Sequence, residues 1–409
     1  MSRAGVKRRF AAGDESGRIG IPACFAALYF ACMPLSIVPI PMEMSLLKLI
    51  SLVIGGGLLV CLIVGDNTLK LNLVHLFWGL YLSYSVLSLM ILHNDMAWET
   101  LRGLIETSVI FFLITTRVYN TRETKLIHAA WIIAGIITTV TLLVSGASAD
   151  GDSRMSISLG GNVEDPNQLC GYFILPALLC IGYVLRRGGK APVKLFFLVL
   201  LFGMIYVVFV TGSRGGLIAV AASVLVYVVW AVKGAGNRLK VLALLLVLAG
   251  LFFAVVWPML PEEITGRLSV ESVVEDQGSG RVTIWQECFE AATDSVQSIV
   301  FGNGLYSTGD ILANAGIKNA VAHNHWLQVF CDQGAIGVAL FFMVVASGMA
   351  RNIKTEKART AAMFGMVALS MSLTVYAYYK PFWNVLMMTA LNGADHINVK
   401  LLKENGENL

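Results

Sequence analysis

Long apolar runs, repeated along almost the whole chain, constrain it more than any other feature. Crossing about 30 Å of hydrocarbon takes about 20 helical residues. Runs of that character lie near residues 20–40, 46–64, 72–92, 101–116, 127–145, 168–185, 193–210, 215–232, 240–258, 326–349, 360–378 and 383–397. In hydrocarbon each backbone N–H and C=O must be satisfied within its own segment, so such runs become helices. Only 14% of the 409 residues are charged and 56% are hydrophobic, whereas soluble domains carry about 25% charged residues. The expected fold is all-α, a polytopic membrane protein with about 12 transmembrane helices. The last span is the weakest, interrupted by Asn392, Gly393, Asp395 and His396.

Loop charge sets the expected orientation. The tail 1–10 and the segments 117–125, 185–194, 232–240 and 350–359 are rich in Lys and Arg, and they alternate with loops that have almost none. Positive loops stay in the cytoplasm, so both termini are expected there. The outer face then receives residues 147–167, 211–215 and a long stretch from about 260 to 325. That long stretch exceeds a connector and reads as a small, partly helical cap. Its segment 281–296 has helical apolar spacing (Ile284, Trp285, Cys288, Phe289, Ala292), and Gly302, Asn303 and Gly304 make a turn. Three parts follow: nine spans and a cytoplasmic tail over 1–258, the outer cap over 259–325, and three spans with a second tail over 326–409. Seven cysteines, an odd number mostly in apolar runs, argue against a disulfide framework or a cysteine metal site. The first apolar run is too long for a cleavable leader. Membrane lipids are the expected surroundings, and no nucleic-acid partner is expected.

Arginine is the informative residue type, because outward loops are poor in it. Arg214 lies in TGSRGG between two apolar spans, where Gly212, Gly215 and Gly216 permit close approach and a helix start offers N–H groups to an anion; the bland alternative is a snorkelling side chain. Arg281 opens the amphipathic segment and could equally be solvated. Arg154 could pair with Asp150 or Asp152, and Arg102 with Glu106 at i,i+4. Several guanidiniums at one membrane boundary suit a diphosphate, which they grip bidentately and stabilise as a leaving group. His323 and His325 flank Asn324 at the start of an apolar helix, and a neutral imidazole there could take a proton from an attacking hydroxyl. Interfacial histidines beside Trp326 are the alternative. Asn324 could cap that helix. A metal site lacks a carboxylate or cysteine at matching spacing, so no metal and no cofactor is expected.

With those residues in view, the chain resembles the superfamily of O-antigen ligases and O-antigen or exopolysaccharide polymerases, integral-membrane glycosyltransferases of the cell envelope. The resemblance rests on the span ladder, the late outer loop, the turn TGSRGG, GRVTIWQE, the GNG turn, and His323–Asn324 followed by Gly334 and Gly337. It implies inverting, metal-independent transfer of a glycan from undecaprenyl diphosphate to a hydroxyl on a glycan or lipid-linked acceptor, at the outer face. It also implies His323 as the catalytic base and Arg214, Arg281 and Arg154 as diphosphate ligands, with Asn324, His325, Gly334 and Gly337 in support. The rival is a transporter or flippase of lipid-linked saccharides, which would place charges near the midplane. Here the helix interiors read as nearly charge-free, Asp332 excepted.

Overall fold

The structure, a computed structural model, describes residues 18–41, 44–65, 69–90, 95–148, 154–159, 162–186, 188–260, 262–268, 281–318, 321–375 and 379–393. The tails 1–17 and 394–409, Asp150, Asp152, Asp395, His396 and most of 261–280 lie outside the described residues.

Helices dominate. In chain order they are α1 (Ile21–Ala31), α2 (Leu46–Val64), α3 (Leu73–Leu89), α4 (Asp95–Thr115), α5 (Thr121–Ser145), α6 (Pro166–Leu185, turning at Cys170), α7 (Ala191–Val210), α8 (Arg214–Ala231) and α9 (Ala235–Val255). Four short helices follow: α10 (Glu262–Arg267), α11 (Arg281–Thr293), α12 (Val296–Phe301) and α13 (Ser307–Asn314). The long α14 (His325–Asn352), α15 (Lys357–Ser370) and α16 (Lys380–Ala390) complete the set. Every apolar run expected to span contains a helix. Among the described residues, though, only seven are long and apolar enough to cross a membrane: α2, α5, α6, α7, α8, α9 and α14. The chain is thus a polytopic helical membrane protein. Helices α1, α15 and α16 stop short of the C-terminal ends of their apolar runs, at Ala31, Ser370 and Ala390.

The helix starts follow from side chains that satisfy the first unpaired N–H groups. Asn72 and His75 form a reciprocal cap for α3, and Asn120 and Glu123 one for α5. Asp165 caps α6 ahead of Pro166, where a missing N–H costs nothing. Helix α6 is the hub, with 78% of its apolar window buried, whereas α9 buries 7% and α2 22%. The outward apolar faces of α2 and α9 suit lipid, which leaves them no reason to pack inward. Helix α8 runs along α15, α14 along α3, and α1 along α5. Trp78, Trp131, Trp383, Tyr172 and Tyr379 fill the spaces between helices.

Two arginines of the basic segments 117–125 and 350–359 are drawn inward. Arg117 and Arg359 are buried at 4% and 1% exposure, Arg117 donating to the Leu58 carbonyl and Arg359 standing 3.8 Å from Glu356. The i,i+4 pair expected from Arg102 and Glu106 does not form: Glu106 pairs with Lys48 on α2 at 2.9 Å, and Arg102 stands 3.8 Å from Glu99. The neighbouring helix supplies a closer cation than the same helix face.

Helix α14 is broken at Gly334, whose φ of 63° and ψ of −166° leave the helical region. The carbonyls freed by this kink are met by the GNG turn: Asn303 N–H donates to Cys331 O at 3.0 Å and Gly304 N–H to Asp332 O at 2.9 Å. The Asp332 carboxylate accepts from Ser307 Oγ, Thr308 N and Thr308 Oγ1 at 3.1, 2.8 and 2.6 Å, fastening the start of α13 to α14. A Cβ at position 334 would stand 2.5 Å from Gly302 N. Gly334→Ala is therefore expected to cost at least about 2 kcal/mol, from left-handed backbone and overpacking together, read as a fall in the melting temperature of the detergent-solubilised protein. An unchanged melting temperature would show that the kink is not anchored this way.

Candidate active site

The three-stranded sheet of β1 (Gly146–Ser148), β2 (Met155–Leu159) and β3 (Asn162–Val163), antiparallel throughout, brings Arg154 and the segment 164–167 to the same end, the open end of the β2–β3 hairpin. Between them they meet the turn that joins α7 to α8. Arg154 Nε donates to Thr211 O at 3.1 Å and its Nη2 to Asn167 Oδ1 at 3.1 Å. Ser213 Oγ donates to the same Asn167 Oδ1 at 2.8 Å while accepting from Gly216 N at 3.0 Å, which caps α8. Gly212 takes φ 58°, and the Arg154 and Arg267 side chains come within 3.5 and 3.7 Å of where its Cβ would stand. Arg214 Nε donates to the Arg267 carbonyl at 2.8 Å. Three arginines, Arg154, Arg214 and Arg267, thus gather on one turn.

The remaining TGSRGG glycines serve packing. A Cβ on Gly215 would collide with Ser372, and one on Gly216 with Cys170. Protein occupies the space that the sequence left open for a ligand.

His323 precedes α14 in the left-handed region, at φ 49°, a conformation that costs about 1–3 kcal/mol and gathers at functional sites. Asn324 caps α14, its Oδ1 accepting from Trp326 N at 3.2 Å and Leu327 N at 3.3 Å, so the capping alternative describes it. Burial lowers the basicity of the His323 imidazole below its ordinary value; the Arg281 guanidinium lowers it further, and Asp165 opposes both. Arg281 opens α11 as expected, and α11 is held against the 322 region by Trp285 Nε1 donating to Ala322 O at 2.9 Å. Asp165 also accepts from Asn167 N and Nδ2 at 2.6 and 2.8 Å, so it links His323 to the residue that holds Arg154.

His325 parts from this group. It is 6% exposed, its ring packs edge-on against Phe341 at 4.9 Å, and its Nδ1 accepts from Val375 N at 3.4 Å. It lines a separate cavity of about 970 Å³ with Gln328, Asp332, Glu164, Tyr306 and Lys380. Gly337 faces the Gln333 side chain of its own helix, so the two glycines of the motif shape α14 and do not touch the arginine cluster. Sequence reading passed over Arg267, Asp165 and Asn167. The signal was present in EDPNQ, where Asp before Pro marks a helix start, but only the fold turns that cap toward His323. Among the described residues no three His, Cys, Asp or Glu side chains stand close enough to hold a metal ion.

The O-antigen ligase family model (Wzy_C) matches residues 196–342. This stretch holds Arg214, Arg267, Arg281, His323, Asn324, His325, Gly334 and Gly337, and leaves Arg154 outside. No curated protein matches the chain. The segment that runs from within α7, through the arginine turn and the outer helices, into α14 is therefore the part of the chain that is similar to the O-antigen ligase family.

Proposed function

We propose that the protein transfers a glycan from undecaprenyl diphosphate to a hydroxyl acceptor at the outer face of the cytoplasmic membrane, by inverting displacement and without a metal. The acceptor oxygen attacks the anomeric carbon of the donor sugar. His323 takes the proton from that oxygen, the bond between the anomeric carbon and the diphosphate oxygen breaks, and undecaprenyl diphosphate leaves as an anion. Arg214, Arg281 and Arg154, with Arg267 added, meet the charge that builds on the leaving oxygen. Single displacement from the opposite face inverts the anomeric centre. The observation that carries this reading is the convergence of a half-buried imidazole with Arg281 and Asp165 beside an arginine-ringed helix start.

The test uses purified protein in nanodiscs with EDTA and an undecaprenyl-diphosphate oligosaccharide, first alone and then with a separate lipid-linked acceptor. A product ladder from the donor alone identifies a polymerase, and transfer only after the second acceptor is added identifies a ligase. No product with either removes the transferase reading in favour of a flippase.

The pH profile follows from the same geometry. The base form of His323 is the working form, and its basicity is lowered, so the rate is expected to stay level below the ordinary imidazole value and to fall only as pH drops through the lowered one. Arg281→Gln removes a lowering influence and should move this acid limb to higher pH. Asp165→Asn removes a raising influence and should move it to lower pH. An acid limb that ignores both changes would exclude His323 as the titrating base.

A further inference from the structure

The depth of the cap helices can be read from a bond to α3, an apolar helix that ends at Leu89. Tyr84 Oη donates to Phe301 O at 3.0 Å, where α12 ends, and stands 3.1 Å from Gln333 O beside the kink of α14. Tyr84 precedes the end of α3 by the rise of residues 85–89, about 8 Å at about 1.5 Å per residue. Helical side chains lean toward the N-terminus of their helix, so the phenol reaches no nearer to that end. Beyond Tyr84, Val86 and Leu87 are still exposed, Leu87 at 58%. The apolar surface of the bundle therefore continues past the level at which α12 is fastened.

At that level the cap itself presents apolar side chains. Phe289 of α11 and Val296, Ile299 and Phe301 of α12 are all exposed, Val296 at 78% and Phe289 at 55%. Phe289 forms a shallow groove with Leu327, Phe330, Val338 and Phe342 of α14, lined by apolar and aromatic side chains. Phe342 is 58% exposed inside a span long and apolar enough to cross a membrane. The outer side of α11 is thus continuous with a surface that already meets lipid.

Charge on α11 is sorted to match. At about 100° per residue, Ile284, Cys288 and Ala292 make one stripe, which packs on Leu312, Ala322 and Cys331. Val282, Gln286, Phe289 and Thr293 make a second, without charge, and Glu287, Glu290 and Asp294 follow on a third. Glu290 and Asp294 border a separate hollow shared with Asp310. A helix lying on a protein in water needs two stripes, one buried and one polar. A neutral apolar stripe between them is the mark of a helix at a membrane boundary.

We propose that α11 and α12 are seated in the bilayer, with Phe289, Val296, Ile299 and Phe301 among the acyl chains of the leaflet that surrounds the start of α14, and the acidic stripe turned to water. Lipid fits this surface better than a second copy of the chain does. The apolar residues lie below the end of α3, where acyl chains are always present, and they continue the lipid-facing side of α14 without a polar rim between them. The seat holds whether or not the protein transfers glycans.

The test places p-benzoylphenylalanine, whose excited ketone inserts into a neighbouring C–H bond, at single positions of the full-length protein in nanodiscs of dioleoylphosphatidylcholine. The positions are Phe289, Val296 and Phe301, with Phe342 as the lipid-facing reference and Glu290 as the water-facing one. All five side chains are exposed, and the melting temperature of each variant checks its fold. Val296 keeps the test open should either aromatic variant misfold. Irradiation should add the mass of one phospholipid at Phe289, Val296 and Phe301 in yields close to that at Phe342, and none at Glu290. Three results would each overturn the proposal: no lipid adduct at the folded cap variants, an equal yield at Glu290, or crosslinks to a second copy of the protein in place of lipid.

Discussion

His323→Ala is expected to insert and fold as the parent does and to transfer glycan roughly 10²- to 10⁴-fold more slowly, the range that a positioned general base contributes. The side chain is only half-buried, so its removal opens no cavity in the bundle, and the cap on α14 comes from Asn324, which stays. The left-handed backbone at this position sharpens the test. Alanine is strained at φ 49°, while asparagine and glycine adopt that region more readily. His323→Asn and His323→Gly should therefore melt at or above the temperature of His323→Ala and be just as inactive. Activity that tracked melting temperature across the three would mean a structural histidine, and a parental rate in any of them would remove the base assignment. Lysine, although basic, is expected to offer no rescue: its ordinary pKa of about 10.4 leaves it a cation near neutral pH, and Arg281 would push that cation away.

The helical ladder was legible because hydrocarbon leaves the chain few choices: an apolar run either becomes a helix or strands its backbone polar groups. Local features were legible for the same kind of reason. The amphipathic α11, the GNG turn and the Asn324 cap each follow from residue types at fixed spacing. What spacing could not convey was the choice among partners far apart in sequence. Glu106 meets Lys48 and not Arg102, because α2 passes closer than the helix's own next turn. Arg154 reaches Asn167 and Thr211, and Arg267 joins the turn only through the return of the chain from α9 to α10. His323 and His325, two residues apart, were read as one site. The left-handed step at His323 and the helical start at His325 send them to different neighbours. Asp332 looked like an isolated charge in an apolar helix, and it is a clamp on α13 whose three donors lie some 25 residues upstream. Gly334 and Gly337 stand out by their spacing, but what Gly334 serves is a kink packed backbone against backbone on Gly302, while Gly337 lies against the Gln333 side chain.

Arg214→Lys is expected to lower kcat roughly 10²- to 10³-fold, the scale of losing one aligned donor to a developing oxyanion, although the formal charge is conserved. Arg214 is the first residue of α8, and its Nε is committed to the Arg267 carbonyl at 2.8 Å. That bond orients the planar guanidinium. A lysine has a single nitrogen at the end of a flexible stem, so it cannot hold the carbonyl and reach a phosphate oxygen together. The loss should appear in kcat and in donor KM, the two quantities that a grip on the donor diphosphate sets. Arg238→Lys at the exposed start of α9, where the guanidinium Nε bonds to the Val232 carbonyl, supplies the control: the same change in side chain, on a backbone carbonyl of the same kind, with no effect on rate. Loss in Arg214→Lys with none in Arg238→Lys assigns the effect to the diphosphate grip. Full kcat in Arg214→Lys would reduce Arg214 to a tie between α8 and α10 and leave the leaving group to Arg281 and Arg154.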